Sequence, residues 1–180
     1  MTYPRWSYFP RNTRPPEWAE SLVEVVAKVE LQVSSHALPT DAEERRTSDL
    51  VLDALRPGME RLGYVVESGK RADQKIRKPV LFGDNGRAEV SYEIDAFHDQ
   101  LGIAVEVEAG RGAMSNADYR DIIRMSLLLD ARYMVLIMPT IYRYGRSAAQ
   151  AFERTRDQMS AIYASERLRL PFEGVLIVGY

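Results

Sequence analysis

Three acidic side chains on two neighbouring predicted strands are the residues of this sequence best suited to chemistry. Glu106 and Glu108 lie two residues apart in an aliphatic strand, so their side chains project from the same face. Asp95 lies on the preceding strand, and the short turn between the strands predicts an antiparallel hairpin that brings Asp95 near them. Converging carboxylates repel each other unless a cation lies between them. Such oxygen ligands favour Mg²⁺ or Mn²⁺ over zinc.

A purely structural interpretation of the two glutamates is also open. An alternating strand often has one wet face, on which Glu106 and Glu108 would be solvated or paired with arginines. The rest of the strand is aliphatic, however, and a turn of small residues at 109–113 follows it. A helix and then a continuously apolar strand come next, which favours an interior position for the acidic strand.

Composition limits the chemistry that the chain can perform. Its 180 residues hold 24 Lys and Arg against 26 Asp and Glu, no cysteine and two histidines. A disulfide framework, a thiolate zinc site, a cysteine nucleophile and a histidine-rich metal cage are therefore excluded. No apolar run approaches the roughly 18 residues of a membrane span. We expect a cytoplasmic protein without a membrane partner.

Hydrophobic periodicity predicts a mixed α/β (α+β) chain with a single mixed sheet flanked by helices. Residues 1–16 are rich in proline and aromatic residues and predict an extended N-terminal arm, while 17–180 form one domain. A capping box at Thr40 and Glu43 is expected to open the second helix, and His98 is interpreted as a surface residue in a turn. The predicted helices are 17–33, 40–63, 115–129 and 147–168, and the predicted strands are 64–68, 88–97, 103–109, 132–138 and 174–179.

This order of elements, with Asp95 and the Glu106-Val107-Glu108 triplet, resembles the PD-(D/E)XK nuclease superfamily over roughly residues 41–138. The resemblance implies a restriction-endonuclease-like core of α-β-β-β-α-β order, here with an extra N-terminal helix and a C-terminal α-β unit. It also implies that Asp95 and Glu106 are magnesium ligands, with the backbone carbonyl of Val107 as a further ligand. Glu108 stands where most members of the family carry lysine.

The glutamate at position 108 departs from the common pattern, although a subset of the restriction enzymes has glutamate there. A substitute cation could come from Arg111, Arg120 or Arg124. Members of the family often add an acid from the first core helix. Helical phase favours Glu44 for this role, and distance to the following strand favours Asp49.

Local basic charge suggests a polyanionic partner. Residues 69–78 carry five positive charges against one negative charge and indicate a polar loop, and a second basic loop follows the fourth strand. Both could contact nucleic-acid phosphates. The candidate residues are Lys70, Arg71, Lys75, Arg77, Lys78, Arg111, Arg143 and Arg146.

The resemblance therefore implies Mg²⁺-dependent hydrolysis of phosphodiester bonds in DNA, with Asp95, Glu106 and Glu108 as catalytic residues. A homodimer is expected, since cleavage of both strands of a duplex favours two-fold symmetry. The alternative is a catalytically inactive nucleic-acid-binding or scaffolding protein of the same fold.

Overall fold

The computed structural model describes residues 3–35, 47–109, 117–144, 147–165 and 167–180. Its helices are α1 (Glu17–Lys28), α2 (Glu30–Val33), α3 (Ser48–Arg61), α4 (Ala117–Ser126) and α5 (Ala151–Ser165). Its strands are β1 (Arg5–Phe9), β2 (Val65–Val66), β3 (Ile76–Phe82), β4 (Ala88–Ile94), β5 (Ala96–His98), β6 (Ile103–Val107), β7 (Tyr133–Met138), β8 (Tyr142–Tyr144), β9 (Ser147–Ala149) and β10 (Gly174–Gly179). None of the helices in these described ranges is long and apolar enough to cross a membrane.

A six-stranded mixed sheet in the order β1-β10-β7-β6-β5-β2 forms the centre of the fold. Strands β6, β7 and β10 are parallel, whereas β1, β5 and β2 pair antiparallel with their neighbours. This confirms the predicted mixed sheet flanked by helices. The predicted hairpin is also present, with Ala96 opposite Val105 and His98 opposite Ile103. At its turn Gly102 has φ +65°, a conformation that glycine adopts without strain.

Alternate residues of the central strands pack into two separate cores, one on each face of the sheet. Val105, Val107, Val135 and Ile137 join the core that α1 and α3 cover. Ala104, Leu136 and Ile177 belong to the core on the opposite face, together with side chains of α4 and α5. Glu106 lies between Val105 and Val107 in β6 and therefore faces the α4 side.

The N-terminal segment contains the edge strand β1, which pairs antiparallel with β10 from Arg5 opposite Gly179 to Phe9 opposite Val175. Pro4 and Pro10 flank β1, and an edge position is where strands tolerate nearby prolines. Phe9 is fully buried and Tyr8 nearly so. The boundary between an arm and the domain at residue 17 stays a prediction.

We expect Gly174→Ala to destabilise the fold by about 1–3 kcal/mol, the usual range for overpacking a core. The added Cβ would run into the hydroxyl and ring of Tyr8, which covers Gly174 from β1. Chemical denaturation measures the loss. The double variant with Gly174→Ala and Tyr8→Ala should lose less stability than the sum of the two single losses, because removing the Tyr8 ring makes room for the added Cβ. Strict additivity of the two changes would contradict the packing of β1 described above.

Several predicted boundaries were wrong. The end of the stretch 69–78, which was interpreted as a basic loop, is the beginning of β3, and β3 pairs with β4 as a two-stranded sheet. The helix predicted over 147–168 begins only at Ala151, because Ser147–Ala149 pairs with β8. His98 is buried and packs edge-on against Tyr64, so its assignment to the surface was also wrong.

Two further predicted helices are present, one of them divided and the other described only in part. The helix predicted over 17–33 divides at Val29 into α1 and α2. The second core helix is seen from Ser48, capped by the Thr47 hydroxyl, which accepts from the backbone N–H of Leu50. The predicted capping residues Thr40 and Glu43 lie outside the described residues.

Candidate active site

Asp95 lies where β4 ends and β5 begins, at a break in the strand alternation. Ile94 and Phe97 are three residues apart, yet both pack into the core on the α4 side. The break directs the Asp95 carboxylate towards β6, where its Oδ2 accepts a hydrogen bond of 2.7 Å from the backbone N–H of Val107. The backbone carbonyl of Asp95 accepts from the N–H of Glu67, at 2.8 Å. Asp95 is therefore held at the junction of three strands.

Glu106 lies beside Asp95 in the interior of the protein. Its residue surface is only 8% exposed, and its carboxyl shares a hydrogen bond with that of Asp95. Burial raises the pKa of Glu106 well above its usual value, and the negative charges of Asp95 and Asp121 raise it further. The Arg124 guanidinium opposes this shift in the pKa. Burial also raises the pKa of Asp95, where the Val107 N–H acts in the opposite direction and Glu67 adds to the rise.

Asp121 of α4 is a member of this acidic group that the strand pattern does not reveal. It is 1% exposed, with Nε of Arg120 at 3.0 Å and Nη1 of Arg124 at 3.7 Å from its Oδ1. Helical phase offers a signal for it, since Asp121 lies four residues before the buried Met125. A buried acid on the apolar stripe of an amphipathic helix is unusual unless it is paired.

Glu108 follows β6 and extends the strand by one hydrogen bond, from its N–H to the carbonyl of Ile137 at 2.8 Å. Its carboxyl hydrogen-bonds to Asp121. Burial, that hydrogen bond and the charge of Asp121 raise the pKa of Glu108 to about 8, whereas Arg120 acts to lower it. The nearest ion-pair contact is between Nη2 of Arg120 and Oε1 of Glu108, at 3.6 Å. Glu108 is thus drawn towards α4 by both residues.

The donor set fits a hard divalent cation, although its carboxyls are paired with one another. Three acids share the α4 side of the sheet and have raised pKa values because burial and mutual repulsion disfavour their charged forms. A cation among these oxygens would remove both costs, and carboxylate oxygens suit Mg²⁺ or Mn²⁺. Within the described ranges, no three acidic or histidine side chains are already arranged around a common metal position.

Most of the predicted phosphate-binding residues in 69–78 form ion pairs with carboxylates of the same chain. Lys70 contacts Asp49 at 2.8 Å, and this hydrogen bond raises the pKa of Lys70. The other ion pairs are Lys75–Glu67 at 2.7 Å, Lys75–Glu93 at 3.8 Å, Arg77–Glu93 at 2.8 Å and Lys78–Asp99. Arg71 is exposed and contacts the Gln74 side chain. The net positive field of this segment is therefore weaker than its composition predicts.

The remaining predicted residues divide into those the structure describes and those it does not. Arg143 is exposed on β8. Asp49 lies in the first turn of α3, with a half-exposed side chain bound by Lys70. Arg111, Arg146 and Glu44 lie outside the described residues.

The fold of the chain is similar to that of solved restriction endonuclease structures. A crystal structure of the restriction endonuclease BglII complexed with a DNA 16-mer is similar to the chain, with a TM-score of 0.54 and 10% sequence identity over 99% of this chain and 76% of that chain. The structure of free BglII gives a TM-score of 0.52 and 13% identity over 99% and 79% of the two chains. The chain has a restriction-endonuclease-like fold.

Sequence comparison identifies the family itself. A family model described as "Putative halobacteria restriction endonuclease" matches residues 2–180, and the chain belongs to this family. No curated protein matches the sequence. The expected restriction-endonuclease-like fold is thus confirmed, and the family match extends beyond residues 41–138, over which the sequence resembles the nuclease superfamily.

Proposed function

We propose that this protein is a Mg²⁺- or Mn²⁺-dependent endonuclease that hydrolyses phosphodiester bonds of duplex DNA. The observation that carries the proposal is the pair of the half-buried Asp95 and the buried Glu106, held side by side with Glu108 and Asp121 next to them. Membership of a restriction endonuclease family and likeness to an enzyme solved with DNA support the substrate class.

Asp95, Glu106 and the backbone carbonyl of Val107 would hold the divalent cation. A cation bound there lowers the pKa of a bound water and neutralises charge that develops on the scissile phosphate. Glu108 would accept the proton of the attacking water while the water oxygen bonds to phosphorus. The scissile P–O bond breaks, and the leaving oxygen takes a proton from solvent. An ordinary glutamate is a weak base at neutral pH, and burial together with the charge of Asp121 raises the pKa of Glu108, which makes its carboxylate a stronger base.

A homodimer is part of the same proposal, since two copies related by a two-fold axis would place one site at each strand of a duplex. Arg71 and Arg143 are the exposed cations of the predicted set that face no carboxylate in the interactions described above. We propose that they contact backbone phosphates of the DNA. Lys70, Lys75, Arg77 and Lys78 would join them when phosphates replace the carboxylates with which these side chains pair in the free protein.

The test is the dependence of DNA cleavage on the ion. Wild-type protein is expected to nick supercoiled plasmid with Mg²⁺ or Mn²⁺, and to lose this activity in EDTA. Asp95→Asn should remove the activity, and the control Asp84→Asn at the exposed tip of the β3–β4 hairpin should retain it. Cleavage that survives in Asp95→Asn would come from a contaminant and would contradict the proposal.

An inactive nucleic-acid-binding or scaffolding protein is the second candidate. Two observations favour it: Glu108 stands in the lysine position, and its carboxylate faces Arg120 and Asp121. A wild-type protein that binds DNA, cleaves none and shows no rise in melting temperature with Mg²⁺ or Mn²⁺ would establish this alternative.

A further inference from the structure

Two of the described helices each carry an arginine followed directly by an aspartate, and the two pairs differ in how deeply the aspartate is buried. In α4, Arg120 donates from Nε to Oδ1 of Asp121 at 3.0 Å and from Nη2 to Oδ2 at 3.4 Å. In α5, Arg156 donates from Nε and from Nη2 to the same oxygen, Oδ1 of Asp157. The Asp121 side chain is 1% exposed, and that of Asp157 is 66% exposed. Only the α4 pair therefore rests on a buried carboxylate.

Asp121 is itself fixed from its other side. Nη1 of Arg124 lies 3.7 Å from Oδ1 of Asp121, and Nη2 of Arg124 donates to the carbonyl of Glu93 at 2.8 Å. The Arg124 guanidinium also lies over the ring of Tyr92, 5.6 Å from its centre. Because both contacts of Arg124 are with β4, the acid that orients Arg120 is linked to the β3–β4 hairpin as well as to α4.

The guanidinium of Arg120 is thereby held at the rim of the acidic group. Its Nη2 lies 3.6 Å from Oε1 of Glu108, while 60% of the side chain is exposed. The hydrogen bonds to Asp121 use Nε and Nη2. A planar cation fixed along one edge and exposed elsewhere is suited to bind phosphate oxygens through its remaining N–H groups.

We propose that Arg120 binds a phosphate of the substrate DNA next to the scissile bond, oriented for that contact by Asp121. This inference rests on the proposed function and extends it. The common family pattern places a lysine at position 108, where this chain has an acid, and Arg120 supplies the missing positive charge from α4. A fixed guanidinium at this point stabilises the negative charge that grows on the phosphate during hydrolysis. Asp121 is the positioning residue for it.

DNA affinity measured in EDTA over a range of salt concentrations tests the contact without cleavage. Arg120→Ala is expected to weaken binding of a short duplex and to lower the slope of log affinity against log salt by about one. Arg156→Ala, the matched control, should leave the slope at the wild-type value. Arg120→Lys should keep the wild-type slope, because it keeps the charge.

The rate of DNA cleavage with Mg²⁺ then distinguishes the effect of the orientation of the Arg120 guanidinium from the effect of its charge. Arg120→Ala is expected to lower kcat by about 100-fold, the usual cost of one fixed donor to a developing negative charge. Arg120→Lys should also cleave about 10-fold slower than wild type, since an ammonium cannot reproduce the two-point contact with Asp121. Circular dichroism confirms that each variant is folded.

The outcomes distinguish this inference from the function on which it rests. If wild type cleaves DNA while Arg120→Ala and Arg156→Ala share its salt slope and its kcat, the inference is overturned and the proposed nuclease stands. If wild type binds without cleaving and only Arg120→Ala lowers the slope, the phosphate contact is supported and the proposed hydrolysis fails. Wild-type protein that binds no DNA overturns both.

Discussion

Glu106→Gln is expected to reduce the rate of Mg²⁺-dependent DNA cleavage by about 10³-fold. The substitution keeps the size and hydrogen-bonding capacity of the side chain but removes the negative charge that would hold the cation beside Asp95. Stabilisation of a developing phosphate charge by a bound metal contributes several kcal/mol, and about 4 kcal/mol corresponds to a factor of 10³ in rate. Single-turnover cleavage of a labelled duplex measures the effect.

The control for this substitution is Glu89→Gln, which makes the same chemical change on β4 at an exposed position. We expect this variant to cleave at the wild-type rate. The Glu106→Gln protein should also fold, because the new side-chain amide can still hydrogen-bond to Asp95 and one of the buried like charges is gone. Equal activity of the two variants would remove Glu106 from the catalytic site.

Glu108→Gln is expected to flatten the dependence of stability on pH in the metal-free protein. The pKa of Glu108 is about 8 in the fold, against 4.5 for the ordinary side chain, so the folded state binds this proton more tightly than the unfolded state. The free energy of unfolding of wild type should therefore fall as the pH rises from about 4.5 to 8. At 1.36 kcal/mol per pKa unit the full shift gives at most about 5 kcal/mol.

The contribution of Glu108 should be smaller than that bound, about 2–3 kcal/mol, because its side chain is partly exposed and solvent screens its charge. Urea denaturation in EDTA between pH 5 and pH 8.5 provides the measurement. Glu108→Gln should lose the part of this slope that Glu108 contributes, while Asp95 and Glu106 keep theirs, and Glu89→Gln should keep the whole slope. A wild-type stability that rises over this pH range would show that Glu108 is not buried against Asp121.

Much of the sheet could be predicted from sequence, because its central strands carry strong local signals. The apolar run of β7 and the alternation in β6 identify strands without reference to tertiary structure. The short link between β5 and β6 fixes their pairing, which places Asp95 beside Glu106. The fold class followed from these elements, and it is the part of the sequence analysis that the family and structural comparisons confirm.

The hairpin of β3 and β4 could not be predicted in this way. Its first strand contains Pro79 and several positive charges, which locally favour a loop. The interactions that compensate are distant in sequence. Arg77 pairs with Glu93 across the hairpin, and Lys78 reaches Asp99 and the face of Phe97. Local propensity gives way to tertiary contacts of this kind.

The proximity of Asp95 to Glu106 was predicted in outline from the β5–β6 pairing. The helix α4 was expected to contribute an arginine, but its Asp121 was not predicted. Spacing alone places Glu106 and Glu108 on one face of a strand. It does not reveal that Asp121 reaches the same face. A buried aspartate needs partners that offset its desolvation, and Arg120 and Arg124 are the partners of Asp121. The approach of Asp121 to Glu108 can be recognised only when the distance between α4 and the sheet is known.

Titration of Mn²⁺ into the metal-free protein, followed by calorimetry, tests most directly whether these acids form a cation site. At pH 8, wild type is expected to show saturable binding and Glu106→Gln to show none, while Glu89→Gln matches wild type. Binding should weaken at pH 6, because protons compete with the cation for the carboxyls of Asp95 and Glu106, whose pKa values are raised. Wild-type protein that takes up no Mn²⁺, or a Glu106→Gln protein that takes up as much as wild type, would contradict the account.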